Sequence, residues 1–63
     1  MMFDATLLFR SGDKHYLRGL TTAEMYLLRD SFHDNVDKFS IKTTAALFEI
    51  QLTDVSMIYF EEK

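Results

Sequence analysis

Thr21 and Glu24 constrain this chain more than any other pair of residues. A threonine three positions ahead of a glutamate, at the head of an apolar-periodic stretch, forms a capping box. The threonine hydroxyl oxygen accepts from the Glu24 N–H, and the carboxylate accepts from the Thr21 N–H. Leu20 and Met25 hold the flanking positions of a hydrophobic staple, and Glu24 puts negative charge at the positive end of the helix dipole. The stretch from Gly19 to Phe32 is the only one with a well-formed helix start, and the residues on either side of it read as strand.

Before the helix, Phe3, Ala5, Leu7 and Phe9 alternate with Asp4, Thr6, Leu8 and Arg10, the period of a strand with one buried face. A two-residue Gly12-Asp13 turn predicts a hairpin in which Arg10 faces His15, Phe9 faces Tyr16 and Leu8 faces Leu17. In that register Ala5, Leu7, Phe9, Tyr16 and Leu20 share a core face, with Arg18 as its one charged member. Leu8 and Leu17 lie opposite each other on the second face and are candidates for a contact with another subunit.

Leu27 and Leu28 are adjacent and cannot both point at the centre of one helix face. Either Met25, Leu28 and Phe32 form the core stripe, or the core face is centred between Leu27 and Leu28. Each choice leaves a large apolar side chain uncovered. Asn35 can take the left-handed conformation that ends helices. Asp30, Asp34 and Asp37 gather near that end, where the dipole disfavours them, so they read as a solvated helix end or as a negative surface for a basic partner.

Phe39 and Ile41 suggest a short strand, followed by an ambiguous connection over Thr43 to Ala46. Phe48, Ile50 and Leu52 alternate clearly, and Thr53-Asp54 marks a bend or bulge. Beyond it Val55, Met57 and Tyr59 occupy one face and Ile58 and Phe60 the other, which implies burial on both sides, by the helix or by a subunit interface. The expected fold is therefore α+β, one domain over residues 1–63: an antiparallel sheet built from an N-terminal hairpin and C-terminal strands, with one helix packed on one face.

A 63-residue core has little stability to spare, and the chain has no cysteine for a disulfide. Two histidines do not complete a closed zinc site, so self-association is the remaining support, and a homodimer is expected with Leu8, Leu17, Ile58 and Phe60 at its interface. The net charge of −3 argues mildly against nucleic acid. No apolar run has the length of a membrane span and no signal peptide is evident, so no membrane partner is expected and a cytoplasmic location is.

Two glycines cannot build a phosphate loop, and no cysteine nucleophile exists. His15 and His33 have no partner placed by sequence, and the aspartate group lacks the spacing of a calcium loop. No enzymatic activity, cofactor or metal is expected.

The residues Asp4-Ala5-Thr6-Leu7-Leu8, Tyr16, and above all Gly19-Leu20-Thr21-Thr22-Ala23-Glu24-Met25 resemble the small DNA-mimicking uracil-DNA glycosylase inhibitors of podovirus-type Bacillus phages. Phe48-Glu49-Ile50-Gln51-Leu52 and Asp54-Val55 are similar to that family's last strand. The resemblance implies a homodimer whose helices occupy the DNA-binding groove of host uracil-DNA glycosylase. In that family an aromatic side chain near the helix start plugs the pocket where the enzyme's intercalating leucine acts. Met25 matches that position, with Glu24 and Tyr26 beside it. Asp30, Asp34, Asp37 and Glu24 would imitate phosphates, and Arg29 lies among them on the partner-binding helix. This chain departs from the family pattern in its less acidic hairpin turn, a longer connection after the helix and a continuation past Val55. The alternative is a small dimeric regulator that binds a different host protein.

Overall fold

The computed structural model describes residues 1–42 and 47–63; the ambiguous Thr43 to Ala46 connection lies outside them. The fold is α+β. Strands β1 (Met2–Phe9), β2 (Lys14–Thr21) and β5 (Val55–Glu62) form an antiparallel sheet in the order β2-β1-β5. Helix α1 (Thr22–His33) follows β2 directly, and β3 (Lys38–Lys42) pairs with β4 (Leu47–Gln51) as a separate two-stranded sheet. A short 3-10 turn, Leu52–Asp54, joins β4 to β5. The expected C-terminal strands are thus divided between two sheets.

Both halves of the capping box are formed. The Glu24 N–H donates to Thr21 Oγ1 at 3.2 Å, and the Thr21 N–H donates to Glu24 Oε1 at 2.8 Å. The other helix end closes as a Schellman motif on Asn35, whose φ is 57°. The Asn35 N–H donates to the Phe32 carbonyl and the Val36 N–H to the Ser31 carbonyl, which satisfies two last-turn acceptors. Of the two helix orientations left open by sequence, the first is adopted: Leu28 is fully buried, Met25 and Phe32 are half-buried beside it, and Leu27 faces solvent.

The hairpin differs from its sequence reading. Its loop is Arg10-Ser11-Gly12, three residues rather than two. The Gly12 N–H donates to the Phe9 carbonyl, and the Phe9 N–H donates to the Asp13 carbonyl, both at 2.9 Å. Gly12, at φ 97°, supplies the left-handed residue that completes a turn of this length. The register moves accordingly: Leu8 faces Lys14, Leu7 faces His15, Thr6 faces Tyr16 and Ala5 faces Leu17.

Two bulges then decide which side chains form the core. Between Phe3 and Ala5, β2 carries one extra residue at Arg18-Gly19; Gly19 sits at φ 71°, and its N–H donates to Asp4 Oδ1 at 3.1 Å. This bulge turns Leu17 and Leu20, three residues apart, onto the same face, which a regular strand cannot do. On the opposite edge of β1 the register shifts between Leu8 and Phe9, and the extra residue is Ser56, whose hydroxyl donates to the Leu8 carbonyl at 3.1 Å. Val55 and Ile58 are brought together in the same way.

The core consists of Ala5, Leu7, Leu17, Leu20, Leu28, Phe39, Ile41, Ile50, Leu52 and Val55, with Phe3, Phe9, Phe32, Phe48, Ile58 and Phe60 packed around it. Each fully buried leucine contributes about 2 kcal/mol by leaving water. The helix and the β3-β4 sheet both contribute to this one core, and the His15 ring meets Phe48 edge-on at 6.3 Å across the two sheets. Tyr16 was expected inside and is 55% exposed, while Leu17 was expected outside and is 1% exposed. Both differences follow from the longer loop, and the Gly19 bulge then returns Leu20 to the core face.

Candidate functional site

The fold leaves uncovered the helix face turned away from Leu28. Tyr26 is 45% and Leu27 56% exposed on it, because the sheet covers only the Met25, Leu28 and Phe32 stripe. Leu27, Asp30 and Asp34 lie at i, i+3 and i+7, so an apolar side chain and two carboxylates share one ridge. Arg29 ties this surface together. Its guanidinium carbon lies 4.5 Å from the Tyr26 ring centroid, and its Nε and Nη2 donate to Asp30 Oδ1 at 3.2 and 3.1 Å. Stacking on one side and a charge-assisted contact on the other restrict the Tyr26 and Arg29 rotamers before any partner arrives.

The other sequence-predicted site residues are distributed differently. Met25 is half-buried on the core side and is not the exposed apolar group of this helix. The Glu24 carboxylate is engaged in the cap. Asp37 lies beyond the chain reversal at Asn35 and does not continue the Asp30-Asp34 ridge; its carbonyl accepts from the Leu52 N–H at 2.8 Å. Leu27 lies outside the expected contact set, although one of the two helix orientations open to the sequence leaves it uncovered.

The residues expected at a dimer interface do not share a surface. Leu17 is enclosed in the subunit's own core, and Ile58 and Phe60 lie half-buried on the inner face of the sheet. Leu8 alone is on the outer face, opposite Lys14 and Met57, beside the row in which Tyr16 and Tyr59 flank Thr6. At one end of that face Asp4 accepts from the Gly19 N–H and meets Lys63 Nζ at 3.2 Å. The Gly19 hydrogen bond, with help from Lys63 and Arg18, holds its carboxyl below the usual aspartate range.

Among the described residues no three histidine, aspartate or glutamate side chains converge as metal ligands. Among the same residues no helix is long and apolar enough to cross a membrane. No family model, curated protein or solved structure matches this chain. The chemistry of the exposed surfaces is therefore the basis for assigning a function.

Proposed function

We propose that the protein is a binding module which inhibits host uracil-DNA glycosylase by imitating DNA, with the outer face of α1 as its contact surface. The observation that carries this reading is the ridge itself: exposed Leu27 and Tyr26 stand beside Asp30 and Asp34 on one short helix. Asp34, together with Asp30 where a basic groove competes with Arg29 for it, complements a surface that normally holds phosphates and steers association. A large apolar side chain pressed into a pocket slows dissociation. Leu27, with the pinned Tyr26 ring, takes the plug role that the resemblance assigned to Met25. The partner's location puts the protein in the cytoplasm of an infected cell. Self-association through the outer sheet face, by Leu8, Tyr16, Met57 and Tyr59, leaves the helix ridge free.

The test mixes purified protein, enzyme and a uracil-containing oligonucleotide at low salt. Uracil release should fall as protein is added. Leu27→Asp should weaken inhibition by about 30-fold or more, the range of an interface hot spot, while leaving the thermal melt in place. Undiminished uracil release at a large excess of the unaltered protein refutes this reading and favours a regulator of another host protein.

A further inference from the structure

A second surface lies along the flank of α1 next to Arg29, where the helix covers β1 and β2 but leaves the inner face of β5 half open. Two clefts meet there. One, of about 720 Å³, is bordered by Arg10, His33, Thr53 and Ser56; the other, of about 340 Å³, by Arg29, His33, Ile58 and Phe60. Phe32, His33 and Ser56 line both, so they form one groove along the free side of β5.

Three observations indicate what fits it. The first is the strand edge. In the order β2-β1-β5 the last strand has, among the described residues, a neighbour on one side only, so half of its backbone donors and acceptors point outward. The second is how differently the two sheet edges are defended. On the β2 edge sit Lys14, Arg18 and the Gly19 bulge, devices that discourage strand addition. On the β5 edge, past the bulge at Ser56, comes Met57-Ile58-Tyr59-Phe60, with no charge and no proline. The third is charge. The protein carries a net −3, yet the titratable residues lining the groove are Arg10, Arg29 and His33, with no carboxylate among the described lining residues. Arg29 is already bridged to Asp30, so the available positive charge is concentrated on Arg10 at the Ser56 end, with His33 beside it; the strand's own acids, Glu61 and Glu62, lie at the far end.

We propose that this groove binds an extended acidic peptide segment of a partner protein, which adds to β5 as a further antiparallel strand. Alternate apolar side chains of the peptide rest on Phe32, Ile58 and Phe60, and its main chain pairs with the β5 edge. Because it runs antiparallel to β5, its C-terminal half lies over Ser56, where its carboxylates meet Arg10 and His33. Glu61 and Glu62 repel a peptide whose acids lie at the other end, which gives the site a direction.

The probe is a fluorescein-labelled eight-residue peptide in which threonine alternates with valine in the first half and with glutamate in the second, so that the valines and the glutamates all face the groove. Titration into the isotope-labelled protein should give saturable anisotropy, with amide shifts concentrated at Ser56 to Phe60 and around Arg10 and His33. Replacing the peptide's glutamates by lysines should weaken binding about tenfold or more, and Arg10→Glu should do the same for the original peptide, whereas Lys14→Glu on the other sheet edge should not. The peptide substitution needs no change in the protein, so it remains decisive if Arg10→Glu fails to fold. No saturable binding at millimolar peptide, equal binding of the lysine peptide, or shifts centred on β2 would each overturn the proposal. So would sedimentation showing a dimer whose β5 amides are protected by a second copy. These outcomes are independent of the glycosylase assay.

Discussion

Thr21→Ala tests the junction on which the fold turns, because β2 passes into α1 with no loop between them. The substitution removes Oγ1, and the Glu24 N–H loses an acceptor at 3.2 Å. Both groups are exposed, so water replaces part of the lost bond, and the cost falls near the middle of the range for helix caps, about 1 kcal/mol. A chain of this size has a total stability of roughly 3 to 9 kcal/mol, so that loss is substantial. Its unfolding entropy of about 0.13 kcal/mol per kelvin converts the loss to a fall in Tm of about 8 °C. Thr21→Ser retains the oxygen and should stay within about 2 °C of the parent, since Ser and Thr cap with similar strength. The second bond, Thr21 N–H to Glu24 Oε1 at 2.8 Å, makes the pair cooperative. Thr21→Ala combined with Glu24→Ala should therefore cost less than the two single losses added. Urea unfolding and calorimetry on the four proteins complete the cycle. A Thr21→Ala loss indistinguishable from zero, or a Thr21→Ser loss as large, would show that the hydroxyl does not hold the helix start.

The hairpin register is tested by a neighbouring pair: Leu17→Ala should cost about 2 to 5 kcal/mol and Tyr16→Ala under about 1 kcal/mol in urea unfolding, and the reverse order would restore the two-residue turn. Gly19→Ala should destabilise by about 1 to 2 kcal/mol on the same assay, through the positive φ and not through crowding, since the added Cβ would meet only the end of Met2 at 3.5 Å. The lowered carboxyl of Asp4 is favoured as the anion in the folded state, so its contribution is present above the unfolded aspartate range and is lost as pH falls through its folded value. Asp4→Asn should accordingly lower stability at neutral pH and flatten the acid limb of the stability-pH curve; an acid limb identical to the parent's would remove Asp4 from that account.

The helix was legible because its signals are local. Thr21, Glu24 and Asn35 act within one turn of themselves, and each does in the structure what its residue type dictates. The α+β class and the division into strands were legible from alternation. What alternation concealed was the facing of β2 and β5, because a period of two places Leu17 and Leu20, or Val55 and Ile58, on opposite sides. A glycine inside a strand pattern was the available sign of the first bulge. Ser56 carried no comparable sign, since its hydrogen bond to the Leu8 carbonyl depends on a residue far away in sequence. The separate β3-β4 sheet was hidden for the same reason: strand signals report that a segment is extended and not which neighbour it joins. At the candidate site, the Leu27-Leu28 adjacency announced an exposed apolar residue on this helix, and packing alone decided that Leu27 rather than Met25 would be uncovered.

The central place of β1 sets the order in which this molecule can assemble. Its pairing with β2 closes across a three-residue loop and forms within microseconds in an isolated hairpin. Its pairing with β5 begins at Phe9 and Val55. About 46 residues must be looped out before that contact, at roughly 3 kcal/mol of chain entropy. The β1-β2-α1 unit is thus the natural early structure, with β5 as the closing strand. The same asymmetry persists after folding: among the described strands β5 is paired with β1 alone, so each release of β5 bares a second strand edge, that of β1. The strand that closes the fold last is thus also the one whose opening would offer the middle of the sheet to another chain.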